Sequence, residues 1–363
     1  MIPIAEPSLG KEELKNITEV VKSGWISSKG KFISEFEKKF AEYCGCKHGT
    51  AASSGTAALH LALKALGIKK GDEVIVPTMT FIATANAVAY CGAKPVFVDS
   101  HPDYWCIDPE KIEEKITKNT KAIIPVHLYG HPCDMGAIVD IAKDRDLYIV
   151  EDAAEAHGAE YKGRKVGSFG DISCFSFFAN KIITTGEGGM CLTDYDELDQ
   201  RMRVLRDHGM NPNKKYWHDV VGFNYRMTNL QAAIGVAQLG KIEKIIDIKR
   251  GNANLYNSLL KGVNGITLPG EEKWARNVYW MYSILVEDEY GISRDDLMKK
   301  LEDKGIESRP LFYPIHTMPP YKHTGNFPIA EALSKKGVSL PSSAKLKREE
   351  IEKICKCIVQ QYA

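Results

Sequence analysis

The chain has 363 residues, 44% of them apolar and 26% charged, close to the mix of an ordinary globular protein. At about 100–200 residues per domain, this length predicts two domains, or one large α/β body with an appendage. Lys and Arg total 48 against 47 Asp and Glu, so the formal charge is +1, which excludes both nucleic-acid binding by whole-chain basicity and an acidic solvating chain.

Short apolar runs at 74–76, 95–98, 122–126, 147–150, 172–177 and 190–192 read as strands. They are near-continuous rather than alternating, as expected of strands covered on both faces. Between them, 56–66, 81–91, 109–117 and 135–146 read as helices. The alternation predicts an α/β fold, a mostly parallel sheet with helices on both faces. The stretch 228–261 reads as helix throughout, with a break near Gly251. After Gly270 the pattern changes to a strand at 282–286, a helix at 294–303, a strand at 337–341 and a last helix at about 347–361. This predicts a large domain over 1–250, ending in a long connecting helix, and a smaller C-terminal α+β domain over 251–363.

The 9 cysteines include two Cys-x-Cys pairs but no Cys-x-x-Cys. That spacing does not match a zinc site, and no metal site is predicted. Reduced thiols packed as small apolar side chains fit a cytoplasmic protein. No apolar run approaches the ~20 residues of a membrane span, and the N-terminus lacks a secretory-signal pattern. No membrane or nucleic-acid partner is expected.

Three features carry chemistry. Ser53-Ser54-Gly55-Thr56 opens a helix with Leu59, Ala62, Leu63 and Leu66 on one face. A small, hydroxyl-rich turn there offers backbone N–H groups and the positive dipole end to a phosphate, or simply an N-cap. Asp152 follows a buried-type strand, where ligands of open parallel sheets collect, or caps the next segment. Lys181 sits within an apolar stretch, Phe175 to Gly189, with Ser176 shortly before it. Burial would lower its pKa and free a nucleophilic amine; snorkelling to the surface is the alternative. No Gly-x-x-x-x-Gly-Lys-Ser/Thr or strand-following Gly-x-Gly-x-x-Gly is present. Gly186-Glu-Gly-Gly189 reads as a strained turn. A phosphate-binding helix start, a carboxylate at a strand end and a lysine in an apolar loop are what pyridoxal phosphate requires.

The sequence resembles the DegT/DnrJ/EryC1/StrS family of fold-type I pyridoxal-phosphate sugar aminotransferases along nearly its whole length. The carriers are Gly24 to Ser28, Ser54-Gly-Thr56, Gly71 to Pro77, Val126 to Gly130, Glu151 to Ala156, the Lys181 segment, Gly222 to Met227 and Gly305 to Pro310. Ser176 to Gly186, Trp280-Met-Tyr282 and His316 to Tyr321 are most similar to the perosamine-forming branch. The resemblance implies that Lys181 bonds the cofactor aldehyde and later shuttles protons. It implies that Asp152 pairs with the ring nitrogen, that Phe81 stacks on the ring, and that Ser54, Gly55, Thr56 and Ser176 surround the phosphate. Asn224 is implied to reach the phosphate of a neighbouring subunit's cofactor, so a homodimer with shared sites follows. Glu155 departs from the Gln common in the wider family at the cofactor's ring oxygen, and Ala179 stands where Gly is usual. Arg309 and His316 match a segment facing the substrate. The implied partners are L-glutamate and a nucleotide-linked 4-keto-6-deoxy sugar, GDP-4-keto-6-deoxymannose above UDP- or dTDP-sugars. The cofactor would pass through its amine form, pyridoxamine phosphate.

Overall fold

The structure is a computed structural model and describes residues 1–322 and 325–360. In chain order the first strands are β1 (His48–Ala52), β2 (Glu73–Pro77), β3 (Lys94–Val98), β4 (Thr120–Ile123), β5 (Tyr148–Asp152), β6 (Glu160–Tyr161), β7 (Arg164–Lys165), β8 (Ile172–Ser176) and β9 (Gly189–Thr193). Seven of them form the main sheet in the order β1-β9-β8-β5-β4-β2-β3. Only β9 runs against its neighbours. β2, β8 and β9 are buried along their whole length, which is why they read as unbroken apolar runs. β1 is the strand that the sequence hides. His48-Gly-Thr-Ala-Ala has no β-branched run, and its place is set by full pairing with β9.

The helices begin with α1 (Lys11–Ser23), α2 (Lys31–Cys44), α3 (Gly55–Ala65), α4 (Ala83–Tyr90), α5 (Met135–Asp144) and α6 (Asp196–Arg206). α3 packs on β1, β5, β8 and β9, and α2 and α5 pack on β1 and β5. The predicted one-sided stripe of α3 is too narrow, for nearly every residue from Gly55 to Ala65 is buried. The predicted helix at 109–117 is instead two 3-10 turns, Pro109–Lys111 and Glu113–Lys115. Of their residues and the links between them, only Pro109 and Ile112 are buried, too small an apolar face to hold a longer helix.

The long helical stretch is α7 (Asn229–Leu239) followed by α8 (Ile242–Leu260). The break falls at Gly240-Lys241, not at Gly251. Lys241 leaves helical geometry and its Nζ lies 2.6 Å from both Ser8 O and Glu13 Oε1. α8 joins two cores. Ile245 and Ile246 belong to the first, while Ala253, Tyr256 and Leu260 belong to the second.

The second core lies under β10 (Ile266–Thr267), β12 (Tyr282–Val286), β13 (Arg309–Pro310) and β14 (Gly337–Leu340), which form a sheet in the order β10-β12-β14-β13. β11 (Ala275–Arg276) pairs with β6 instead. α9 (Arg294–Asp303) and α11 (Arg348–Val359) complete this part, while α10 (Pro328–Lys336) buries Ala330 and Leu333 in the first core. Residue 361 of the predicted last helix lies outside the described residues. The N-terminus returns here: Ile2 packs in the second core and its N–H donates to Gly305 O at 2.7 Å.

Candidate active site

The C-terminal ends of the parallel strands open onto a cavity of about 430 Å³, the edge where open α/β sheets gather ligands. Asp152 ends β5, Ser176 ends β8, and Ser54 follows β1; all three line the cavity with Gly55, Thr56, Phe81, Glu155, Lys181 and Arg309.

Ser54 is the N-cap of α3, its Oγ accepting the Ala57 N–H at 3.1 Å. Both readings of this turn therefore hold, because the capped helix start also faces the cavity. Main chain approaches main chain closely here. A Cβ on Gly55 would lie 2.7 Å from the Ser176 Cβ, and one on Gly189 would collide with Ser54 O. The glycines keep side chains out of a cradle that presents the first N–H groups of a helix.

Asp152 is buried. Its Oδ2 accepts from Thr84 Oγ1 at 2.8 Å and its Oδ1 from the Ala154 N–H at 3.2 Å. Burial pushes its carboxyl up, against the pull of the Thr84 hydroxyl. No cation lies within ion-pair distance of it among the described residues.

The Lys181 side chain is 12% exposed, so it does not snorkel. Burial pushes its ammonium down, opposed by Glu155 and Asp152. Its Nζ stands 3.8 Å from Glu155 Oε1 and 3.8 Å from the centre of the Trp280 ring. Glu155 Oε2 accepts the Tyr129 N–H at 2.8 Å. Burial pushes the Glu155 carboxyl up to about 7, against the pull of the Lys181 ammonium.

The profile of the DegT/DnrJ/EryC1/StrS aminotransferase family matches residues 7–359. The chain belongs to that family. It is 50% identical over 364 residues to the GDP-perosamine synthase of Escherichia coli O157:H7, covering 100% of this chain and 99% of that protein. It is 49% identical over 362 residues to the GDP-perosamine synthase of Caulobacter vibrioides, covering 99% of this chain and 98% of that protein. The aminotransferase TlmJ of Streptoalloteichus hindustanus superposes with a TM-score of 0.95 at 31% identity, over 100% of this chain and 99% of that one. The protein is a sugar aminotransferase that uses pyridoxal phosphate.

The site of this aminotransferase fits that cofactor. The buried Asp152 carboxylate lacks a cation among the described residues, and a protonated pyridine nitrogen would supply one. The cradle at α3, open at Gly55 and rimmed by the Ser54, Thr56 and Ser176 hydroxyls, suits a phosphate, and the largely buried Lys181 amine suits an aldehyde.

Two predicted residues lie elsewhere. His316 is buried and does not line the cavity. Its Nδ1 is 2.7 Å from Thr78 Oγ1, its Nε2 is 3.1 Å from Glu331 Oε1, and its ring packs on Phe327. With both nitrogens occupied it ties the end of β2 to α10 and lies outside the cavity lining. Asn224 is exposed and outside this chain's own cavity. Arg309 does line the cavity, with its guanidinium 3.0 Å from Glu307.

Sequence reasoning missed an aromatic wall. Trp280, Tyr129 and Phe312 stack in series, with ring centres 6.1 and 5.3 Å apart. Tyr129 holds a left-handed backbone, φ 53°, and its hydroxyl accepts the Phe312 N–H at 2.9 Å. A backbone of that kind at a non-glycine residue is uncommon and often marks a functional position. The three residues are far apart in sequence, and each alone reads as core.

Proposed function

We propose that this aminotransferase moves the amino group of L-glutamate to the C4 ketone of GDP-4-keto-6-deoxymannose, yielding GDP-perosamine for surface polysaccharides such as O-antigen. What supports the chemistry is Lys181, an amine pressed out of water beside two buried carboxyls. What supports the substrate is the 50% identity to the E. coli GDP-perosamine synthase along both full lengths.

Pyridoxal phosphate supplies the electron sink that lets the amino group change carriers. The protein supplies placement and proton transfer. Ser54, Gly55, Thr56 and Ser176 hold the phosphate. Asp152 would keep the ring nitrogen protonated, and Phe81 would cover the ring. Glu155, whose carboxyl burial pushes up, would stand beside the ring oxygen, and in its protonated form it would avoid the repulsion that a carboxylate meets there. Lys181 Nζ takes the proton from the donor carbon and returns one to sugar C4. Arg309 faces the anionic part of the substrate.

The working unit in this proposal is a homodimer, with Asn224 completing the partner's site. Its support is that Asn224 lies outside its own cavity beside an exposed apolar segment, in which Tyr216 and Val221 are 76% and 89% exposed. The domain boundary is put near residue 250; what supports it is that Ile245 and Ile246 of α8 belong to one core and Ala253, Tyr256 and Leu260 to the other. The reaction is assigned to the cytoplasm, in keeping with 9 free cysteines and with the absence, among the described residues, of a helix long and apolar enough to cross a membrane.

A panel assay tests the reading. The enzyme and its Lys181→Ala variant are incubated with glutamate and the GDP-, UDP- and dTDP-4-keto-6-deoxy sugars, and the products are weighed. Amination of the GDP sugar by the parent alone is expected. A GDP sugar left untouched while another is aminated removes the substrate assignment. Normal turnover by Lys181→Ala removes the mechanism.

A further inference from the structure

Lys181 Nζ makes no hydrogen bond among the described residues, and its carboxylate neighbour at 3.8 Å is beyond hydrogen-bond reach. An amine this sequestered still needs a favourable partner when it carries charge. Besides the Glu155 ion pair at 3.8 Å, it has the face of Trp280, whose ring centre lies 3.8 Å away, well inside the ~6 Å range of a cation–π contact. The same indole donates its Nε1–H to Asn180 O at 2.8 Å, the carbonyl immediately before Lys181. Trp280 thus grips the lysine from two sides, backbone and amine.

Trp280 is itself held rigidly. It is 5% exposed and lies parallel to Tyr129, with an interplanar angle of 11°. Gly130 meets its backbone so closely that a Cβ there would lie 2.8 Å from the Trp280 N. Tyr129 in turn donates its N–H to Glu155.

We propose that Trp280 is a positioning residue for Lys181: its ring face holds the amine whenever it is free of the cofactor, and its N–H clamps the loop that carries it. This rests on the reading of Lys181 as the cofactor-bearing amine. Holding the free ammonium this way keeps it next to the reacting carbon without fixing it in a strong ion pair that would have to be broken at every turnover.

The test uses the full-length chain freed of cofactor. Capture of pyridoxal phosphate is followed by its visible absorbance as a function of pH, a signal that reports the protonation of the free Lys181 amine and does not depend on turnover. Trp280→Phe keeps a ring face, and its capture midpoint is expected to stay within about 0.3 pH units of the parent's. Trp280→Leu removes the face and the N–H, and its midpoint is expected to fall by about 0.5–1 unit as the ammonium loses its partner. A folded Trp280→Leu protein with the parent's midpoint overturns the proposal. If the Leu variant does not fold, Trp280→Met takes its place under the same criterion. A parent that captures no cofactor through Lys181, judged by equal absorbance in Lys181→Ala, overturns the underlying reading and this proposal with it.

Discussion

Glu151 and Asp152 are consecutive carboxylates at the end of β5, and both are buried. Strand geometry sends them to opposite faces of the sheet, and their surroundings could hardly differ more. Glu151 accepts from His127 Nε2 at 3.1 Å and from the N–H groups of Gly167, Phe169 and Gly170 at 2.7, 2.7 and 2.8 Å. Those bonds outweigh the burial that would raise its pKa, and its carboxyl lies below the ordinary value. Asp152 has two hydrogen bonds, no paired cation among the described residues, and a raised carboxyl. A carboxylate whose capacity is filled by its own fold is structural. One left short of partners is built for something that arrives later.

The sharpest way to break this comparison is to neutralise each acid in turn. If Asp152 pairs with the ring nitrogen as proposed, Asp152→Asn removes that charge, and turnover of the GDP sugar is expected to fall by at least about 100-fold. Its stability without cofactor should change by less than about 1 kcal/mol, because an unpaired buried charge has been removed. Glu151→Gln should do the reverse. An amide presents an N–H to donors that need an acceptor, so unfolding free energy is expected to drop by about 3 kcal/mol. The fraction that remains folded should turn over within about threefold of the parent. Urea titrations alongside initial rates check both. Equal loss of activity in the two folded variants would erase the distinction.

The same pair predicts opposite responses to pH in the cofactor-free protein. The folded pKa of Glu151 lies below its ordinary 4.5, so its stabilisation is present above that pH and is lost as pH falls through the depressed value. The folded pKa of Asp152 lies above its ordinary 3.8, so its contribution is fully present below that pH and is lost as pH rises through the raised value. Unfolding free energy measured from pH 3 to 8 should therefore lose part of its acid decline in Glu151→Gln. In Asp152→Asn it should gain relative to the parent as pH rises above 3.8. A parallel pH dependence in both variants would contradict the assignment.

The sequence makes the two acids look alike. It shows Asp152, Lys181 and the Ser54-Gly55-Thr56 turn because each puts an unusual group where strand ends or apolar loops make it conspicuous. It cannot show that Glu151 is filled by a loop of main-chain N–H groups at 167–170, because backbone donors carry no residue signature. Trp280 is hidden for a related reason: aromatic residues are the default content of a core, and only the fold brings this one to 3.8 Å from Lys181 Nζ. His316 is conspicuous for the opposite reason. It matches a family segment implied to face substrate, yet here its ring is held by Thr78 and Glu331. The main sheet is more legible than the site, since continuous apolar runs report burial directly, whereas β1, made of small residues, reports nothing until β9 pairs with it.

Gly251 offers the mildest test and the cleanest control. It read as a helix break, but the chain breaks at Gly240-Lys241, and Gly251 lies well inside α8 on an exposed position where an added Cβ would meet nothing within 4 Å. Glycine inside a helix gives up more backbone entropy on folding than alanine does. Gly251→Ala should therefore raise unfolding free energy by about 0.5–1 kcal/mol. It touches neither carboxylate, so turnover and the pH profile of stability should both keep the parent's shape. That outcome would show that a shift in stability of this size leaves the chemistry alone, and hence that the loss in Asp152→Asn comes from the site and not from a loosened fold. A Gly251→Ala protein that is less stable than the parent would instead mean that α8 needs a bend at that position, and with it a hinge between the two cores.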